Sequence, residues 1–377
     1  MMSIKNKCVG IVTIDDPINY GNRLQNFALT RLLEAEGFRV INGIQVYTKE
    51  CYVHAPGSFV KKCVKRMIPF CIVKKRIVRK RGKTDILGRA RELRFKEYEN
   101  LYSDRIVPII ESNYKKAMQI LSQYGIDYFV TGSDQVWNPY YEGRPYEFLT
   151  FAPKKKRLSF AASIGVDRIP PEQERQYKKN LSEMKYLSVR EQRAVEIIKE
   201  LTGRDADLTL DPTLLLEAEQ WQQAVKKPNI ALEAEYICTY FLGETPEAVK
   251  VFAQEKGLPV YALNSEEHPE LFVLDPGEFL YMIQHAAYVL TDSFHAVAFS
   301  IKFHKEFYVF NRKQAGVASM FSRIETITKR FGLENRIQNR DRIVEQELIA
   351  HWKKIDEELL CEKVKSMKRL IDAMGMN

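Results

Sequence analysis

The sequence predicts an α/β fold in two doubly wound halves, and three observations predict it. Short apolar runs alternate with amphipathic helical stretches over most of the 377 residues, the signature of parallel strands joined by crossover helices. The apolar runs end in small polar residues, as strands do at the edge of a parallel sheet where ligands gather. The alternation also restarts as a second series near residue 235.

The first series opens with the strand VGIVTI (9–14) and the loop DDPINYG. An amphipathic helix follows from Asn22 to Gly37, with Leu24, Phe27, Ala28, Leu32 and Leu33 on one face and Gly37 as its stop. FRVING (38–43) is a second strand, which completes a βαβ unit. Further on come a helix over Thr84 to Asn100, strands at 126–132 and 157–163, a helix from Pro171 to Met184, the short SVREQ segment, and a strand-to-proline turn in DLTLDPTLL (207–215). The second series has strands at 235–243, 258–263, 287–292 and 306–311, with helices from Pro246 to Lys256 and from Pro276 to Ala287. The boundary falls between Lys185 and Trp221 and is set at 185, giving halves 1–185 and 186–377. Terminal helices from Val344 to Met374 are expected to pack across both.

Composition sets outer limits. With 45% hydrophobic and 28% charged residues the chain is an ordinary globular protein, and no apolar run approaches the ~20 residues of a membrane span. The amino terminus lacks a secretory pattern, so a cytoplasmic location is expected. The cysteines, Cys8, Cys51, Cys63, Cys71, Cys238 and Cys361, form no CxxC pair and have no zinc spacing; reduced thiols and no metal are expected. The net charge of +9 is local, because residues 61–96 hold 15 Lys or Arg against Asp85 and Glu92 while the rest of the chain is slightly acidic.

Within that basic segment, Phe59, Val60, Cys63, Val64, Met67, Ile68 and Cys71 recur at helical spacing beside Lys61, Lys62, Lys65 and Arg66, and a second cationic block ends at Arg81. Residues 59–81 therefore read either as a peripheral contact with an anionic membrane surface or as a solvated charged face over a core stripe. Few aromatics and no recognised motif argue against nucleic acid.

Four loops carry candidate chemistry. YVLTDSFHAVAFSIKF (288–303) is a buried-type strand, a polar turn and a helix starting near His295. An imidazole there can serve as acid or base toward an anionic substrate, or be a satisfied side chain behind an N-capping Ser293. Arg190, at a strand end, suits bidentate binding of a carboxylate or phosphate, or a salt bridge. Asn311, Arg312, Ser322 and Arg323 follow the last clear strand and offer an anion clamp, or ion pairs with Glu325 or Glu334. GSDQVWN (132–138) presents Ser133, Asp134 and Trp137, the indole being a sugar-stacking platform or a core residue. NYGNRLQNFAL (19–29) has one glycine and is no dinucleotide fingerprint, and no phosphate-loop motif occurs, so an NAD or ATP enzyme is disfavoured.

The ordered set NYGNRLQNFAL, TGSDQVWNP, SFAASIGV, SVREQ, LDPTLLL and TDSFHAVAFSI resembles the polysaccharide pyruvyl transferase family across residues 8 to 335. The resemblance implies two Rossmann-like domains facing a cleft, similar to the GT-B glycosyltransferases. It implies transfer of a pyruvyl group from phosphoenolpyruvate to two hydroxyls of a sugar, in a polysaccharide or a lipid-linked precursor, forming a cyclic ketal without a cofactor or metal. His295 falls on the family's catalytic histidine and Arg190 on its anion-binding arginine. On this reading the donor side comprises Arg190, Ser293, Asn311, Arg312, Ser322 and Arg323 in the C-terminal half, and the acceptor side Asn19, Gly21, Asn22, Ser133, Asp134 and Trp137. Some members carry Arg-x-His where this chain has Ser293-Phe294-His295, and Arg312 or Arg323 could compensate for the missing cation from the following turns. Two rivals stay open: a GT-B glycosyltransferase using a nucleotide sugar, and a non-catalytic sugar- or membrane-binding protein.

Overall fold

Strand β1 (Cys8–Val12) is buried along its whole length, as a strand must be when helices cover both faces of its sheet. In this computed structural model, residues 7–14, 16–48, 86–99, 104–105, 109–140, 145–312 and 321–375 are described. Residues 59–81 lie outside them, so the reading of that segment as a membrane contact has no structural counterpart here. Cys8 and Cys238 are buried and Cys361 is exposed, whereas Cys51, Cys63 and Cys71 are also outside the described residues. Among the described residues no helix is long and apolar enough to cross a membrane.

Around β1 lie β2 (Arg39–Asn42), β4 (Asp104–Arg105), β6 (Tyr128–Thr131) and β7 (Arg157–Ser159), in the order β4-β2-β1-β6-β7 and with every pairing parallel. A small parallel pair, β3 (Val46–Tyr47) and β5 (Ile109–Ile110), lies beside it. The second sheet is also parallel: β10 (Ile237–Tyr240), β11 (Val260–Ala262), β12 (Tyr288–Thr291), β13 (Glu306–Phe310) and β14 (Ile337–Gln338), ordered β11-β10-β12-β13-β14. This is the two-sheet α/β fold expected, built on short parallel strands.

Parallel neighbours need long crossovers, and helices provide them. In the first half these are α1 (Tyr20–Ala35), α2 (Ile86–Glu99), α3 (Tyr114–Ser122), α4 (Pro171–Ser182) and α5 (Gln192–Thr202). Short helices α6 (Pro212–Leu215) and α7 (Ala218–Gln222) lead into α8 (Glu247–Lys256), α9 (Pro269–Phe272), α10 (Pro276–Gln284), α11 (Phe294–Lys302), α12 (Ser322–Arg330) and α13 (Trp352–Met374).

The division of the chain comes later than residue 185. Strands β8 (Ser188–Val189) and β9 (Asp207–Leu208) pair with each other, and bridges from Leu158 to Tyr186 and from Ala162 to Val189 attach them to the β7 side of the first sheet. Helix α5 buries Ala194, Ile197 and Ile198 in the first-half core. The first sheet therefore continues to Leu208. Two-residue strands give no periodicity to read, so the sequence pattern alone does not tie the SVREQ segment to the first sheet.

Helix α1 is the shared wall of the two halves. Its Leu24, Phe27, Leu32 and Leu33 belong to one continuous core with Leu214, Leu215, Trp221, Phe279 and Phe299. Tyr20 stacks on Phe279 at 4.2 Å and donates to the Leu274 carbonyl at 2.8 Å. The terminal helix α13 spans both halves: the Tyr128 hydroxyl of β6 donates to the Met374 carbonyl, and Arg330 of α12 pairs with Glu358 and Glu362.

One expected binding residue belongs to this scaffold instead. Trp137 is fully buried, stacked on Phe148 with ring centroids 5.5 Å apart, and its Nε1 donates to the Glu147 carbonyl at 3.2 Å. With its face and its only donor both taken, it is a core residue and no sugar platform.

Candidate active site

The loops after β1, β6, β7, β8 and β12 converge on one buried group of charges. After β6, Gly132 takes φ 123°, a conformation glycine adopts freely, and a Cβ there would lie 2.3 Å from the Phe160 carbonyl oxygen. That close approach brings Ser133 and Asp134 under the sheet edge. The Ser133 amide donates to Gln25 Oε1 at 2.9 Å, and Gln25 Nε2 donates to Thr13 Oγ1 at 2.8 Å, so α1 and β1 fix the turn together.

Arg190, just past β8, ties this turn to the linker. Its Nη2 donates to Asp134 Oδ1 at 3.1 Å and its Nη1 to Asp211 Oδ2 at 2.5 Å, while Phe294 covers the guanidinium 4.6 Å from the ring centroid. Asp211 is almost wholly buried and accepts on every side: Oδ1 from the amide and hydroxyl of Thr213 at 3.0 and 2.8 Å, Oδ2 also from the Ser133 hydroxyl at 2.8 Å. Glu191 braces the neighbouring loop by accepting from Ser163, Ile164 and Gly165.

His295 enters from the second half, in the first turn of α11, with Nε2 3.8 Å from Asp211 Oδ2, buried and without a hydrogen-bond partner. Its ring lies directly on the backbone of α1: a Cβ at Gly21 would fall 1.9 Å from His295 Nδ1. Glycine is required there by close approach.

The charges shift one another's protonation. Burial alone would raise the Asp134 carboxyl, but Arg190, His295 and Arg323 more than offset it and hold it at about 2. Asp211 is likewise lowered, burial being outweighed by Arg190 and His295. Burial dominates at His295 and, with Arg190 and Arg323 adding repulsion, lowers its pKa despite Asp211 and Asp134. The imidazole is therefore neutral near pH 7.

The sequence-predicted residues divide accordingly. Gly21, Asn22, Ser133, Asp134, Arg190, His295 and Arg323 meet at this cluster; Asn22 Nδ2 lies 3.4 Å from Asp134 Oδ2, and Asn19 caps α1 by accepting from the Asn22 amide. Ser133 and Asp134, placed on the acceptor side, contact Asp211 and Arg190 directly, so the cluster joins the two sides. Arg190 is spent on two carboxylates and makes that acidic pair tolerable in the interior; it is no open anion fork. Arg312 is likewise committed: its Nε donates to Asp292 Oδ2 at 3.0 Å, and Asp292 also accepts from the amides of Leu242 and Gly243, which clamps the turn before α11. Asn311 is exposed, its carbonyl accepting from Arg340. The Ser322 hydroxyl is buried and unpartnered at the start of α12. Among the described residues, no group of three His, Cys, Asp or Glu side chains is placed to hold a metal ion.

Arg323 is a second guanidinium acting on His295. Its guanidinium lies 5.7 Å from the Phe294 ring centroid, and both of its terminal nitrogens donate to the Gln135 amide oxygen, at 2.6 and 3.0 Å, when that amide is turned toward it. Ser293 sits at the N-cap of α11 without a side-chain capping bond, its own amide donating to Thr291 Oγ1 at 2.9 Å. The first amides of α11 are thus free of a side-chain cap.

Asp211 and Gln25 are the residues that sequence reasoning missed. An aspartate before a proline has a sufficient local explanation as a turn and cap, and Gln25 falls among apolar helix positions; the one available signal was their place inside quoted motifs.

Solved structures with a similar overall arrangement include a UDP-GlcNAc 2-epimerase from Neisseria meningitidis, 9% identical, with 98% of this chain and 100% of that chain covered and a TM-score of 0.46. A glycosyltransferase from Rickettsia africae is 13% identical, covering 98% of each chain at a TM-score of 0.45. The UDP-GlcNAc 2-epimerase from Methanocaldococcus jannaschii is 11% identical, with 93% of this chain and 98% of that chain covered at 0.47. No curated protein matches the chain. The polysaccharide pyruvyl transferase family, by contrast, matches residues 19–314, a span that contains Gly21, Asp134, Arg190, Asp211 and His295. The chain belongs to the polysaccharide pyruvyl transferase family.

Proposed function

We propose that the protein transfers a pyruvyl group from phosphoenolpyruvate to two hydroxyls of a sugar, in a cell-surface polysaccharide or its lipid-linked precursor, and closes a cyclic ketal. The observation that carries this reading is a buried imidazole, its Nε2 without a hydrogen-bond partner and its pKa lowered by burial, among groups whose charges are otherwise offset. Two guanidiniums, Arg190 and Arg323, balance two carboxylates, Asp134 and Asp211. An anionic donor therefore brings uncompensated negative charge to His295 and raises its affinity for a proton.

The chemistry follows from that loading. The donor phosphate or carboxylate sits at the first amides of α11 with Arg323, and the imidazolium gives its proton to the vinyl carbon. A sugar hydroxyl adds to the adjacent carbon as positive character develops there, losing its own proton to the neutral imidazole. The C–O bond to phosphate breaks, and the second hydroxyl closes the ring as its proton passes to the departing phosphate. Asn22 and Asp134 face the side on which the acceptor hydroxyls enter.

Incubation with phosphoenolpyruvate and a panel of model and lipid-linked glycosides should release phosphate in an acceptor-dependent manner and yield a ketal-bearing sugar by mass spectrometry. Release of a nucleotide from a nucleotide sugar, with no phosphate from phosphoenolpyruvate, would replace this reading by glycosyl transfer. Arg323 is the donor cation on this reading. Arg323→Ala should raise the donor KM about ten- to hundredfold, the worth of a charge-assisted hydrogen bond of about 1.5–3 kcal/mol. Ser293→Arg should recover part of that loss; an unchanged donor KM in Arg323→Ala would remove Arg323 from the site.

A further inference from the structure

We propose that Asp211 is the positioning residue of His295, the carboxylate onto which the imidazole closes through Nε2, so that Nδ1 is the nitrogen that exchanges a proton with the substrate. The inference extends the pyruvyl-transfer reading and rests on it for the identity of the substrate.

The geometry singles out Asp211 from the other acidic groups. His295 Nε2 is the buried nitrogen, lacks a partner, and lies 3.8 Å from Asp211 Oδ2. The other edge of the ring runs along Gly21 at the start of α1, where a side chain would strike it; Nδ1, unlike Nε2, is not a buried atom lacking a partner. The ring is thus held between a backbone and a carboxylate, with little freedom to turn.

Asp211 is itself rigid: it caps α6 through Oδ1, and Arg190 and the Ser133 hydroxyl fix Oδ2. The groups facing the imidazole are Asp211 and Asp134 on one sign and Arg190 and Arg323 on the other. Of the two carboxylates, Asp211 is the one with an oxygen within 4 Å of Nε2, at 3.8 Å.

The proton balance is simple. In the free protein His295 carries its proton on Nε2, facing Asp211, and keeps a lone pair on Nδ1. Uptake of a proton at Nδ1 makes the imidazolium, and the Nε2–H contact with Asp211 shortens into a charge-assisted bond. Giving the Nδ1 proton to the donor carbon restores the starting tautomer, and the proton of the attacking hydroxyl returns to Nδ1. Asp211 stays ionised throughout, as an orienting carboxylate does.

The test is a histidine-selective 15N titration of the free protein without donor, with the His295 signal assigned by its loss in His295→Gln. The wild type should show the Nε2–H tautomer. In Asp211→Asn the His295 pKa should fall and the Nδ1–H tautomer should appear. Ser133→Ala, which removes a partner of Asp211 but keeps the carboxylate, should leave the tautomer unchanged. An Nδ1–H tautomer in the wild type overturns the proposal even if Asp211→Asn fails to fold, and so does an unchanged titration in a folded Asp211→Asn. If phosphoenolpyruvate is the donor, Asp211→Asn should also lower kcat about ten- to hundredfold, the usual share of a partner that orients an imidazole, with the donor KM little changed. The titration succeeds or fails without any donor, so failure of the pyruvyl-transfer reading would show only in the phosphate assay.

Discussion

His295→Gln is expected to lower turnover with phosphoenolpyruvate by roughly 10²- to 10⁴-fold, the range of a positioned acid–base group, while the protein stays folded. Glutamine keeps the polarity and much of the volume of the side chain but cannot carry a proton between donor and acceptor. The substitution has a second readout in stability. His295 has a lowered pKa in the folded protein because burial disfavours the imidazolium. Below about pH 6.5, the ordinary value for the unfolded chain, the unfolded state therefore binds more protons, and stability falls as pH drops toward the folded value. In His295→Gln this contribution is gone, so the loss of stability between pH 7.5 and 5.5 should be smaller than in the wild type by urea titration. A folded variant with wild-type turnover would remove His295 from the chemistry. An unchanged pH slope would remove it from the buried, neutral state described here.

How far such a site can be read from sequence depends on whether its cause is local. The strand-turn-helix at 288–303 was legible because strand burial, polar turn and helix start are all written within a few residues; β12 and α11 fall where the pattern places them, and His295 with them. Arg190 was legible as a residue at a strand end. Its partners were not, since Asp134 and Asp211 reach it only because β6, β8 and the linker end at the same sheet edge. Trp137 shows the opposite failure. It stands in a polar loop, but the segment that buries it, with Phe148 and Glu147, returns about ten residues later, and no local pattern encodes that return. The end of the first sheet is hidden for the same reason: what joins residues 186–208 to it is pairing across β7, not periodicity. Asp211 was hidden by having a complete local explanation as a cap, which the structure retains while adding a second role.

Gly21→Ala tests whether the two halves are fitted to each other at His295. On helix propensity alone, alanine within α1 should stabilise the helix by up to about 1 kcal/mol. The new Cβ, however, would lie 1.9 Å from His295 Nδ1, 2.4 Å from Cγ and 2.5 Å from Cε1, separations that no side chain tolerates, and the ring cannot retreat far because Asp211 and Phe294 lie close to it. Either the imidazole rotates out of the cluster or α1 draws away from α11; both separate His295 from Asp211. Displacing a reacting group by about 1 Å costs on the order of 10²-fold in rate, so Gly21→Ala should lose at least that in kcat. The loss should be non-additive with His295→Gln, because both changes remove the same element. Gly21→Ala placed in the His295→Gln background should cause little further loss of turnover. His295→Ala should, in turn, relieve the clash, so that Gly21→Ala/His295→Ala is more stable to urea than Gly21→Ala. Wild-type turnover in Gly21→Ala, or full additivity of the two losses, would show that the ring does not depend on the bare backbone of α1.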